Sequence, residues 1–316
     1  MKRPAFLALS ATLVSSPALI SAQSLTSIDV AAVPADASTP VLWAQQSGIF
    51  RRHGIEVRLS PERSGSAVAA GVAGGSYTIG NSSLVSLITA HVRGLPFVLV
   101  APGGLYRARN PTVALLVKRD SPIRNAADLN GKTVAVSSLN DLFSLSTKLW
   151  VDKNGGDSMS LKVLEFPVSA VGDALASGRV DAGGVGSPEL EEAIDSGKAR
   201  LLAYMYDAIA PEFLYTGWFT TADYASRNPS VVHGFAEAMR ESASYTNGHP
   251  SATVASMSKF TGIDAAKIAK MHRVANGTVL DPRLIQPLID YAAKYKMIPT
   301  AFDARDLIAK GFDGSS

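Results

Sequence analysis

Short apolar runs rich in β-branched residues alternate with longer stretches in which apolar residues recur every three or four positions. The pattern predicts strands over Ser27–Val33, Ile55–Leu59, Tyr77–Gly80 and Phe97–Ala101, with helices over Pro40–Gln46, Ser66–Ala73 and Leu84–His91 between them. It restarts after Asn110-Pro111. Strands follow at Thr112–Lys118, Thr133–Val136, Leu161–Glu165, Val180–Gly184, Arg200–Tyr204 and Phe213–Thr220, and helices at Asn125–Leu129, Asp141–Lys153, Val168–Ser177 and Pro188–Ser196. Strand–helix alternation of this kind specifies parallel sheets with helices on their faces. From Asn228 the periodicity becomes helical, over Ser230–Tyr245, Ser251–Thr261, Ala265–Arg273 and Arg283–Tyr295, which predicts a tail capping one lobe rather than a third sheet.

The two stretches echo each other. Val72 to Gly80 reads as a helix end with glycine, a spacer and a short strand ending in glycine, and Leu175 to Gly183 reads the same way. The chain is therefore expected to form two similar lobes, 23–107 plus 218–316 and 108–217.

The first 22 residues change where this fold is expected to work. Lys2 and Arg3 precede an apolar run from Ala5 to Val14 and small residues to Ala22, the order of a secretory signal peptide. Cleavage is expected near Ala22, with Ala18 the alternative. The run is too short to span a bilayer, which takes about 20 apolar residues. The absence of cysteine excludes a lipidated N-terminal cysteine, so a free periplasmic protein is expected, as a monomer. Net charge is +3, with both signs interspersed, and aromatic residues make up 7%. Neither a basic stripe nor a stacking platform for nucleic acid is present.

In an open parallel sheet, ligands bind beyond the carboxyl ends of the strands. The segments found there are small and polar, and most of them open helices: the loop holding Asp36, then Ser64-Gly65-Ser66, Asn81-Ser82-Ser83, Ser137-Ser138 with Asn140, and Ser187. A helix N-terminus offers unpaired N–H groups and partial positive charge, so it receives an anion without a lysine. The same residues also serve as ordinary N-caps. Tyr106 and Arg107 lie where the chain should cross between lobes, and Tyr215 where it should return, so these three are further candidates.

Catalytic and metal motifs are missing. Gly184 to Pro188 is not a nucleophile elbow, and neither a phosphate-binding loop nor H-E-x-x-H occurs. The five histidines lack ligand spacing. No enzyme activity, cofactor or metal is expected.

Several blocks carry a family resemblance. They are Gly48-Ile49-Phe50-Arg51-Arg52-His53-Gly54-Ile55-Glu56-Val57, then Ala127-Asp128-Leu129-Asn130-Gly131-Lys132-Thr133-Val134-Ala135-Val136, and Ala174 to Asp181. The chain resembles the periplasmic substrate-binding proteins of ABC importers for sulfonates, taurine, nitrate, aromatic acids and thiamine precursors. That resemblance implies the α/β type II periplasmic binding protein fold, two lobes with mainly parallel sheets joined by two crossover strands. It implies capture of a small organic anion, a carboxylate or sulfonate with aromatic ones included, by lobe closure, and delivery to a membrane permease. Carried over by position, it points to Ser64, Ser66, Asn81, Ser82, Ser83, Ser138, Asn140 and Ser187. Around Ser187 the chain has Gly186-Ser187-Pro188-Glu189 where many relatives place a tryptophan or acidic residue beside a proline. The related thiamine-pyrimidine synthases share the fold but carry a cysteine-rich motif absent here. A periplasmic sensor remains a further alternative.

Overall fold

The computed structural model describes residues 25–312, so the predicted secretory segment lies outside the described residues. Along the chain, β1 (Thr26–Ala32), α1 (Thr39–Gln46), α2 (Ile49–Arg52), β2 (Ile55–Pro61), α3 (Gly65–Ala73), β3 (Ile79–Ser83), α4 (Leu84–Val92) and β4 (Phe97–Pro102) build the first lobe. The strand β5 (Gly104–Arg107) leaves it. The second lobe holds β6 (Val113–Lys118), β7 (Thr133–Val136), α5 (Leu142–Lys153), β8 (Lys162–Glu165), α6 (Val171–Ala176), β9 (Ala182–Gly186), α7 (Glu189–Asp195) and β10 (Ala199–Ala203). The chain returns through β11 (Glu212–Leu214) to β12 (Thr216–Thr221). It ends with α8 (Ala222–Arg227), α9 (Pro229–Gly248), α10 (Val254–Thr261), α11 (Ala265–Lys270), β13 (Ala275–Asn276) and α12 (Gln286–Lys294).

The first sheet runs β2-β1-β3-β12-β4, and the second, read in the matching direction, β8-β7-β9-β6-β10. In each, one strand runs against its neighbours: β12 against β3 and β4, β6 against β9 and β10. The mainly parallel expectation therefore holds for the remaining strands. The internal echo is structural too. Gly75 and Gly178 both take positive φ, 77° and 72°, and Thr78 N–H and Asp181 N–H donate to Asp29 O and Thr133 O at 2.7 and 2.8 Å. Each helix is stopped by a left-handed glycine, and each following strand docks parallel to a neighbour, β3 beside β1 and β9 beside β7.

Sheet alternation sorts the core. Val30 and Trp218 pack with Val41, Phe50 and Phe235 on one face of the first sheet, while Ala31 and Phe219 pack with Leu84, Leu87 and Leu99 on the other. In the second lobe Leu115 and Val117 face one layer, Ala114 and Leu116 the other, so β6 is apolar throughout.

Two sequence expectations need correction. Phe213–Thr220 is not one strand: the chain changes partners at Tyr215, from β5 to β3 and β4. Tyr215 N–H still donates to Gly104 O, while its carbonyl accepts from Leu84 N–H, both at 2.9 Å. The tail also does more than cap one lobe. α9 packs on α1, but in α12 and just beyond it Tyr295 Oη donates to Asp152 Oδ2 of α5 at 2.6 Å, and Lys153 Nζ lies 4.9 Å from the Tyr291 ring.

The loop after β1 is fastened by a buried ion pair. Asp36 and Arg273 side chains are 6% and 14% exposed, with Arg273 Nε 2.8 Å from Asp36 Oδ1. Val274 N–H donates to Asp36 Oδ2 at 2.6 Å and Thr39 Oγ1 to Oδ1 at 3.0 Å. Breaking such a pair from one side leaves a buried uncompensated charge, at a cost of roughly 3–5 kcal/mol. Asp36→Asn is therefore expected to lower unfolding free energy by roughly 3 kcal/mol in urea titration; a change within the scatter of surface substitutions would show that Arg273 is not anchored here.

Candidate functional site

In the first lobe, Ser64 caps α3, accepting from Ala67 N–H at 3.2 Å and lying 2.9 Å from Ser66 Oγ. Gly65 follows, and a Cβ there would fall 2.4 Å from Ser82 Oγ, so the start of α3 rests directly on the end of β3. Asn81 and Ser82 are not in a loop, as the sequence implied, but inside β3, because β12 supplies a partner: Asn81 lies opposite Trp218, Ser82 opposite Gly217, Ser83 opposite Thr216. Both are buried, at 5% and 3% exposure. Asn81 Nδ2 donates to Gly217 O at 3.3 Å, whereas Ser82 Oγ has no hydrogen-bond partner among the described residues. Leaving a buried hydroxyl unpaired costs about 1–3 kcal/mol. Ser83 stands at the N-cap of α4 without capping it through its side chain. Ser64 Oγ takes Ala67 N–H and Tyr215 O takes Leu84 N–H, so it is the other first-turn N–H groups of α3 and α4 that open beside an unsatisfied hydroxyl.

A chain of ring contacts runs from there into the second lobe. Tyr215 adjoins Ser83 through the Leu84 N–H bond, and its ring fills the space over Gly104. Its centroid is 6.4 Å from that of Tyr206, which is 6.1 Å from Phe143 at the start of α5. Phe143 in turn packs on Gly184 of β9. Tyr106 belongs to this cluster, 5.3 Å from both Tyr206 and Phe213, but its hydroxyl is taken by Asp207 Oδ1 at 2.6 Å. Burial holds the Tyr106, Tyr206 and Tyr215 phenols well above the ordinary tyrosine range, so all three stay neutral donors.

The second lobe meets this cluster with Asp141. It caps α5, accepting from Ser144 N–H at 2.8 Å, from the Ser137 hydroxyl, and from Ser138 and Phe143 N–H groups. Burial nevertheless holds its carboxyl above the usual range. Ser137 and Ser138 therefore brace Asp141. The sequence reading used Asp141 only as a helix start; its signal was the capping position itself. Asn140 is exposed beside it.

Three expected contacts are committed elsewhere. Asp36 offers no free carboxylate, being held by Arg273 and Val274 N–H. Arg107 lies on the opposite face of the crossover ribbon from Tyr106, pairs with Glu212 at 2.7 Å, and lines a separate hollow of about 400 Å³ with Arg109 and His272. Ser187 donates to Glu191 Oε1 at 2.7 Å. That oxygen also accepts from His272 N–H at 3.1 Å, while Lys267 Nζ lies 2.8 Å from Glu192 Oε2, so α7 is tied across to the tail of the first lobe. Residues Gly65, Ser82, Ser83, Tyr215, Tyr206, Phe143 and Asp141 form one connected wall crossing between lobes.

Comparison with known proteins identifies the family and the fold. The family model described as NMT1/THI5 like matches residues 36–253. An aliphatic sulfonates-binding protein of Escherichia coli (strain K12) is 24% identical over 242 residues, covering 74% of this chain and 73% of that protein. Among solved structures, the periplasmic aliphatic sulphonate binding protein SsuA from Escherichia coli superposes with a TM-score of 0.77 at 20% identity, covering 92% of this chain and 99% of that one. The periplasmic nitrate-binding protein NrtA from Synechocystis PCC 6803 gives 0.74 at 12% identity, covering 90% and 86%. The fold is that of the periplasmic binding proteins, and the match over most of the chain places it: this protein belongs to the NMT1/THI5-like family.

Proposed function

We propose that this protein is the solute-binding subunit of an ABC importer, working in the periplasm as a monomer, taking up a small organic anion and handing it to a membrane permease. One observation carries the reading. The N-termini of α3 and α4 open beside Ser82, whose buried hydroxyl finds no partner among the described residues. Unpaired N–H groups with the positive end of two helix dipoles suit a sulfonate or carboxylate oxygen, and an oxygen acceptor there would also satisfy the hydroxyl. The similarity to binding proteins named for sulfonates and nitrate supports the same class.

The two lobes, 23–107 with 218–316 and 108–217, act as jaws about β5 and β11. Ligand bound to one wall gains further contacts when the other closes on it, and that difference drives closure. The reading is one of capture and release, with no bond made or broken.

Titration calorimetry with short alkyl and aryl sulfonates and carboxylates tests this. Saturable binding of at least one anion, tighter than about 1 mM, is expected; silence across the series would remove the reading. Gly65→Ala is expected to weaken that anion at least about tenfold, a loss near the 1–3 kcal/mol of a misplaced hydrogen-bond group, because its methyl would displace Ser82 Oγ. Ser82→Ala should cost about three- to tenfold, the net worth of one hydrogen bond. Both variants should keep the parent far-ultraviolet circular dichroism. Undiminished affinity in both would place the anion elsewhere.

A further inference from the structure

The two lobes touch in two unlike ways. Through the crossovers one apolar cluster is continuous. It runs from Leu84 and Leu87 of α4 past Leu105 of β5 and Phe213 and Leu214 of β11 to Leu145 and Leu149 of α5, and Leu288 of α12 belongs to it. Parting the lobes there would return that surface to water, which opposes the motion in proportion to the area exposed.

The second contact, between α7 and α11, is polar. Each helix is held firmly in its own lobe. Leu190 and Ala193 of α7 are buried with Ala114 and Leu116 in the second, Ile268 of α11 and Met271 beyond it with Val41 and Phe50 in the first. Among the described residues no apolar cluster joins the two helices. Lys267 Nζ lies 2.8 Å from Glu192 Oε2, and His272 N–H donates to Glu191 Oε1 at 3.1 Å. The hydrogen bond from Lys267 holds the Glu192 carboxyl below the usual glutamate range and raises the ammonium in return, so both stay charged. Both side chains are more than half exposed, and water takes over from either partner when the pair parts. Glu191 Oε2 is buried without a partner among the described residues, a cost that parting would remove.

This seam lies where the crevice has to open. α7 follows β9, and the Arg273-Val274 segment beyond α11 holds the loop after β1, so the seam joins the carboxyl edges of the two sheets. An apolar core joins the lobes at the crossovers, and groups that water can solvate join them here. A motion that separates the lobes breaks the polar contact before the apolar one. Glu192 and Lys267 stand outside the wall that crosses from Gly65 to Asp141, so they reach the anion only through closure.

We infer that Glu192 and Lys267 form a latch, two positioning residues remote from the anion whose ion pair holds the lobes shut and so sets how tightly the anion is retained. This rests on the anion reading above. Calorimetry at neutral pH and low salt with ethanesulfonate, benzenesulfonate, propanoate and benzoate tests it. In Glu192→Lys, whichever of these the parent binds is expected to bind about threefold more weakly or worse, because repulsion of similar size replaces the attraction of an exposed pair. The general field of the protein predicts the reverse, since added positive charge attracts an anion. Combining Glu192→Lys with Lys267→Glu restores opposite charges across the seam and should return the affinity to within about twofold of the parent. Both variants should keep the parent far-ultraviolet circular dichroism. Unchanged or tighter binding by Glu192→Lys overturns the inference and leaves the anion site standing. A loss that the double exchange does not repair also overturns it, because the effect would then not lie in the pair. If the parent binds none of the four anions, the anion reading fails and the inference fails with it.

Discussion

The crevice depends on β12 lying antiparallel between β3 and β4. Trp218 and Phe219, both fully buried, pin that strand to the core layers on its two faces. Because β12 runs against its neighbours, the returning chain enters at the edge where the other strands end. β6 does the same in the second lobe. The crossovers therefore join the two sheets at their carboxyl edges, and the segments beyond the strands are brought together.

The same ladder prepares the chemistry. Pairing with β12 draws Asn81 and Ser82 out of the loop and into the sheet, where their polar groups are cut off from water. Asn81 spends its amide on Gly217 O, but Ser82 opposite Gly217 is left with its hydroxyl against the start of α3. An unsatisfied buried group is a standing cost, and an oxygen acceptor placed against it would remove that cost.

The walls are unequal by construction. The helices α3 and α4 have no acidic residue in their first turn, so their dipoles stay available. Asp141 occupies that role in α5, and Glu189, Glu191 and Glu192 crowd the first turn of α7. Two lobes of matching strand order thus carry opposite electrostatics. Glu191 spends its charge on Ser187 and on the backbone of His272, which makes α7 a tether between lobes rather than an anion receptor.

Much of this was legible in the chain itself. Apolar periodicity located most strands and helices, because burial on one face or two imposes its period on the sequence. The repeated glycine stop before β3 and β9 disclosed two similar lobes, because only glycine takes positive φ there without strain. Small polar residues at helix starts marked Ser64, Ser82 and Ser83 as candidates. Which of them remain free was decided by tertiary contacts between residues far apart in sequence. Arg273 reaches back 237 positions to take Asp36, and Glu212 takes Arg107 from across the crossover ribbon. Tyr206 and Phe143 join the site only because the second lobe folds them against Tyr215. Local sequence fixes what a side chain can offer; whether the offer is still open depends on which distant group the fold has placed within hydrogen-bond reach.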